Sequence, residues 1–229
     1  MLLRPSSYNL IAVMLLLGAL GARASAAEPQ TRPVESTFDI RVDTSETPEL
    51  EQLGKTVQRV ADKWYPLIVD RLKQDGFTAP RQVNIIFKRE MKDPAATGGS
   101  NIFCAAWHFK DHPDDLGAIV HELAHVAQSY PQYDPVWLVE GIADYVRFWI
   151  YEPIEKRPRF DPKTIDYRKG YQCVGGFLAW LEEHYDRDIV TKLNKACRDT
   201  RYSDPLFKDY TGKSLDELWN EFKASLPNR

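Results

Sequence analysis

The stretch IVHELAHVAQ, residues 119–128, followed by WLVEGIADY, residues 137–145, decides how this chain is read. His121, Glu122 and His125 stand in an H-E-x-x-H pattern. The flanking Ile119, Val120, Leu123, Val126 and Ala127 are apolar nearly all round the helical wheel, which predicts a buried helix. Four residues apart on such a helix, His121 and His125 stand one turn above the other on one face. Two imidazole nitrogens can then converge on a single tetrahedral ion. Glu122 is turned beside them, placed for general-base work rather than for the metal.

An H-E-x-x-H pattern arises by chance in on the order of one chain in a hundred of this size, so a second signal is needed. It lies in residues 137–145, a second predicted helix set off by the turn-like Pro131 to Pro135 segment, so that two antiparallel helices can face each other. Glu140 follows Leu138-Val139 in an apolar run that gives a carboxylate no packing reason, and a third zinc ligand explains it. Asp144, one turn on, shares its face and can accept the spare N–H of a zinc-bound histidine. The plainer reading is a solvated helix face on which Glu140, Asp144 and Arg147 form an ordinary ion-pair ladder. His108, His112 and His184 have weaker surroundings and read as structural.

Outward from this centre, the N-terminal segment separates from the rest. Arg4 precedes an apolar run from Leu10 to Leu20, and Ala24-Ser25-Ala26 supplies a small-x-small cleavage site. Residues 1–26 read as a signal peptide, because the apolar run is shorter than the ~20 residues that span a bilayer. The product is expected to be secreted or periplasmic, with no membrane association after cleavage near Ala26. Residues 27–36 read as a disordered leader, and residues 37–229 as one catalytic domain. Removing residues 1–26 takes away Arg4 and Arg23 and no acid, which moves the net charge from −3 to −5. Nothing in that balance suggests a nucleic-acid partner, and none is expected. Cys104, Cys173 and Cys197 are too few for a disulfide scaffold; one Cys173–Cys197 bridge and three buried thiols are both open readings.

Phe38, Ile40 and Val42 alternate with polar residues as a strand. Pro48 to Leu72 has helical spacing, with Pro66 expected to kink or restart it. Val83, Ile85 and Phe87 form a second strand, and Asn101 to Phe109 a third. Later helices are expected at 116–129, 135–150, 167–185, 187–198 and 214–225, with Asp204-Pro205 as punctuation. The fold class is α+β, a small mixed β-sheet followed by a mainly helical half.

HELAHVAQSY followed by WLVEGIADYVR is similar to the basic secretory protein family of plants, fungi and bacteria, which resembles a branch of the thermolysin-like zinc peptidases called gluzincins. FDIRVDTSETPEL, the WYP at Trp64-Tyr65-Pro66, GYQCVGGFLAWLEE, LNKACRD, YSDPLF and LDELWNEF extend the likeness over most of the chain. The resemblance implies a secreted protein with a thermolysin-like zincin core, one Zn2+ per chain on His121, His125 and Glu140, and a peptide or protein substrate. Two features depart from it: the chain is acidic, and Cys173-Val174-Gly175-Gly176 replaces a more polar stretch.

The reaction expected is peptide-bond hydrolysis with Glu122 as general base, and a tyrosine hydroxyl is the expected oxyanion donor. Tyr171, in a glycine-tyrosine pair resembling the same family, is preferred over Tyr167, which sits in a segment similar to one of the zinc aminopeptidases. Four residues apart on a predicted helix, the two would share a face. A different class of function also fits: a secreted defence or cell-wall-associated binding protein that keeps the fold with little or no turnover. A third reading, an α+β domain with an accidental motif, predicts no stoichiometric zinc. Substrate identity and oligomeric state are not encoded in any motif.

Overall fold

A computed structural model describes residues 38–227. The expected signal peptide and leader lie outside the described residues. Two parallel strands, β1 (Asp39–Asp43) and β2 (Gln82–Lys88), are joined by the long helix α1 (Glu51–Arg71). Their register sets Ile40 beside Val83 and Val42 beside Ile85. A hairpin follows, β3 (Ala95–Gly98) and β4 (Asn101–Ala105), whose turn uses Gly99 at a φ of 62°. That left-handed conformation suits a residue without a Cβ. β4 pairs parallel to β2, so the sheet order is β1-β2-β4-β3, mixed, with β3 at an edge.

Eight α-helices follow or flank this sheet among the described residues: α1, then α2 (Ala106–Asp111), α3 (Leu116–Gln128), α4 (Val136–Tyr145), α5 (Tyr171–His184), α6 (Ile189–Arg198), α7 (Pro205–Thr211) and α8 (Leu215–Ser225). The α+β expectation therefore holds. No helix among the described residues is long and apolar enough to cross a membrane. α3 is the central element: from Gly117 to Gln128, His121 and His125 are the two residues that are not buried. A helix apolar on all sides can be stable only inside the domain, and here it lies against α1, β3 and α4. Its N-terminus is capped by Asp115, whose side chain accepts from the Ala118 N–H, and Ser129 ends it in the left-handed conformation.

Several expectations need correction. The third strand ends at Ala105, where its pairing with both β2 and β3 runs out; beyond it the chain turns into α2, and Phe109 packs edge-on against Phe87 at 5.5 Å. His108 is thus helical. β3 is built from Ala95, Ala96, Thr97 and Gly98, small residues without a period that a hydrophobicity reading can detect. α1 runs through Pro66 without a break, held on either side by the buried Tyr65 and Ile68. Asp204-Pro205 is the start of α7, with proline in the first turn where its missing N–H costs nothing. The 135–150 helix is two pieces, α4 and a π-helical segment at Val146–Tyr151. All three cysteines are free and buried, which removes the Cys173–Cys197 bridge; the Cys173 thiol instead donates to the Gly170 carbonyl.

Candidate metal centre

Helices α3 and α4 bring His121, His125 and Glu140 together, with one ligand atom from each lying within 4.8 Å of the others. The Nε2 atoms of the two histidines are 3.0 Å apart. His121 Nε2 is 3.2 Å from Glu140 Oε2, and His125 Nε2 is 3.7 Å from Glu140 Oε1. Three ligands arranged tetrahedrally around zinc at ~2.0–2.1 Å would be about 3.3 Å apart, so the spacing is that of a donor set for one small ion.

The hydrogen bonds on the far sides of the rings supply a second, independent test of fit. His121 Nδ1 lies 2.9 Å from Asp144 Oδ1, and a carboxylate can only accept, so Nδ1 carries the proton. His125 Nδ1 lies 2.7 Å from Gln128 Oε1; the amide's orientation is fixed because Gln128 Nε2 donates to the Val139 carbonyl at 2.9 Å. With both Nδ1 atoms donating, two Nε2 lone pairs face each other and a carboxylate. Such a cluster requires a proton or a cation at its centre, and two imidazoles with one carboxylate suit zinc.

The electrostatics follow from this crowding. Burial by itself would push the His121 pKa down, but hydrogen bonds to Asp144 and Glu140 and the nearby carboxylate charges overcome it and lift the pKa to about 10. Burial would likewise raise Glu140, yet its hydrogen bonds with His121 and His125 bring it down to about 2. The two shifts have one cause: a protonated His121 and an ionised Glu140 each favour the charge of the other.

Glu122 is buried on the same helix, and its Oε2 accepts a 2.7 Å hydrogen bond from the Thr97 hydroxyl on β3. A cavity of about 910 Å³ opens over the centre, lined by residues that include Thr97, Glu122, Tyr133 and Tyr171. Tyr171 is the first residue of α5 and is 43% exposed at this cavity. Tyr167 is neither on that helix nor at the cavity. It sits in a turn where the Asp166 carboxylate accepts from the Arg168 N–H and the Asp166 carbonyl from Lys169 and Gly170, and its buried hydroxyl donates to Asp216 at 3.0 Å. The expectation that the two tyrosines share a helical face is therefore wrong. Arg147 turns to Asp115 at 2.6 Å instead of completing a ladder with Glu140 and Asp144.

Three residues at the centre escaped the sequence reading. Gln128 had a usable signal, since it follows His125 by three on the same helix. Thr97 had none, because a hairpin distant in sequence delivers it. Tyr133, in the segment between α3 and α4, donates its hydroxyl to Glu140 Oε1, with its ring 5.7 Å from that of His125. His108 lines the cavity with Asp115, 3.0 Å away, and contributes no atom to the three-ligand group.

A family model for BSP, described as a peptidase of plants and bacteria, matches residues 83–222, more than half of the chain. No curated protein and no solved structure matches.

Proposed function

The chain belongs to this family of peptidases of plants and bacteria, and from that membership we propose that it is a secreted or periplasmic zinc-dependent peptidase, with His121, His125 and Glu140 holding one zinc ion and Glu122 as general base. The observation that carries the reading is the pair of Nε2 nitrogens converging with the Glu140 carboxylate under an open cavity. Zinc held there would polarise the scissile carbonyl and acidify the attacking water. The remaining steps belong to the chain's own groups. Glu122 has Oε2 engaged by Thr97, which steadies the carboxylate and leaves Oε1 to take the water's proton and later pass it to the leaving amine. Asp144 holds His121 with Nε2 turned inward. Tyr171, at the cavity, can donate to the carbonyl oxygen as negative charge grows on it. Ala95, Ala96 and Thr97 of the edge strand β3 line the same cavity, which supports an extended peptide as substrate, added alongside the strand.

Elemental analysis and peptide-cleavage assays on the purified chain test this together with Glu122→Gln. The wild type is expected to carry one zinc and to cleave; the variant keeps the zinc and loses cleavage, because an amide cannot take the proton. Undiminished cleavage by Glu122→Gln would remove the general-base assignment. Stoichiometric zinc with no cleavage of any peptide by the wild type would favour the binding-protein reading.

A further inference from the structure

Gln128 is the last residue of α3, is 1% exposed, and lines the wall of the metal centre. Burying an amide is costly unless both of its ends are paired. Here each end is paired to one of the two ligand-bearing helices. Oε1 accepts from Nδ1 of His125 at 2.7 Å, and Nε2 donates at 2.9 Å to the carbonyl of Val139, in the peptide that joins Val139 to Glu140. The backbone of Gln128 is fixed as well: the guanidinium of the buried Arg198, on α6, donates to the carbonyls of Gln128 at 3.1 Å and Ala127 at 3.1 Å. One side chain therefore touches a ligand histidine and the backbone beside the ligand glutamate, and is itself held from a third helix.

We propose that Gln128 is a positioning residue that sets the tautomer of His125 and the spacing between His125 and Glu140, a role that rests on the metal-centre reading above. A histidine whose ring is free to turn offers either nitrogen. His125 has one Nδ1 partner, the neutral Gln128, where His121 has the anion Asp144. Removing the oxygen at Nδ1 leaves a buried N–H unpaired and frees the ring, so the Nε2 lone pair no longer faces Glu140 for most of the time. The arm to Val139 does something different: it limits how far α4 can drift from α3.

Gln128→Met and Gln128→Glu separate the two arms. Met removes both at similar length, whereas Glu restores an oxygen to His125 Nδ1. Zinc affinity is measured by chelator competition, the ligand field by the visible spectrum of the Co2+-substituted protein, and the fold by thermal melting of the metal-free protein. Gln128→Met is expected to bind zinc roughly ten- to a hundredfold more weakly, with an altered Co2+ spectrum, and Gln128→Glu to recover most of the affinity. In the zinc-loaded wild type, the His125 Nδ1–H is expected as a slowly exchanging, downfield proton in the NMR spectrum, a readout that needs no variant to fold. Wild-type affinity in Gln128→Met would overturn the proposal. So would an equal loss in both variants that follows their loss of melting temperature, since that is the mark of a purely structural tie. A rapidly exchanging Nδ1 proton would do the same. If the wild type takes up no zinc at all, the metal-centre reading falls and this inference with it; if it binds zinc and Gln128→Met is unchanged, this inference falls alone.

Discussion

Loading the metal-free protein with zinc should expel a proton from His121, because the Asp144 and Glu140 carboxylates beside the ring hold it there. With its pKa at about 10, His121 near pH 7 is neutral in roughly one molecule in a thousand. The proton on Nδ1 stays on the ring, donated to Asp144, so the one that must leave is on Nε2, the atom facing Glu140. One proton per zinc is therefore lost from His121, and apparent affinity should rise about tenfold per pH unit from neutrality toward pH 9. Near pH 7 this reduces the affinity about a thousandfold, or about 4 kcal/mol, relative to a centre whose His121 is already neutral. An imidazole with the ordinary pKa of 6.5 would be only about 3% protonated near pH 8 and would release almost nothing.

The assay is isothermal titration calorimetry of zinc into chelator-treated protein, in two buffers of different ionisation enthalpy, for the wild type and Asp144→Asn. Asparagine still accepts from Nδ1 but removes the charge that raises His121, so its proton count near pH 8 should be smaller. Every other proton lost on loading is common to both proteins, and the difference isolates His121. Equal counts would refute the argument that the Asp144 carboxylate holds a proton on a metal ligand.

Three further outcomes are expected. In the metal-free protein, the stability contributed by His121's raised pKa is complete below 6.5 and is lost as the pH rises through about 10. That contributed by Glu140's lowered pKa is complete above 4.5 and is lost as the pH falls through about 2; thermal melts across this range should show a plateau between 4.5 and 6.5 with decline on both sides. Tyr171→Phe should lower turnover roughly a hundredfold with unchanged zinc content if it is the oxyanion donor; a loss confined to Tyr133→Phe would transfer that role to the tyrosine now on Glu140. Gly141→Ala should destabilise by about 2 kcal/mol in denaturant melts, because a Cβ there would lie 2.7 Å from Val174 Cβ, an overlap that outweighs the ~1 kcal/mol gained in helix propensity.

What the sequence made legible was whatever a short helical segment encodes by itself. His121, Glu122 and His125 are fixed relative to one another by the 3.6-residue period, and Glu140 and Asp144 likewise, so their mutual placement needs no knowledge of the fold. The facing of the two helices follows from the short connection between them. Thr97 and the edge strand could not be read, because β3 owes its conformation to its partner β4 and not to any pattern of its own. Tyr167 misled for a related reason: local bonding around Asp166 forms a turn where spacing alone suggested the beginning of a helix.

The run Cys173-Val174-Gly175-Gly176 shows how a departure from a family pattern can mislead about function. All four residues are buried, and none of them lines the cavity. A Cβ at Gly175 would lie 2.9 Å from the Tyr145 nitrogen and 3.0 Å from the Asp144 carbonyl carbon, so the backbones of α4 and α5 approach each other here without a side chain between them. At Gly176 the would-be Cβ meets the rings of Phe160 and Trp149 instead. The run thus fits the back of α4, the helix whose other side presents Glu140 and Asp144 to the candidate metal centre. Its effect on catalysis would pass through the position of those two carboxylates and not through contact with substrate. On the proposed reading, substrate preference comes instead from groups that reach the cavity: the β3 edge, Tyr133, Tyr171 and its neighbour Gln172, with His108 and Arg147 also lining it. Grafting a more polar stretch onto positions 173–176 should therefore lower stability and zinc affinity together and leave the relative rates on different peptides unchanged.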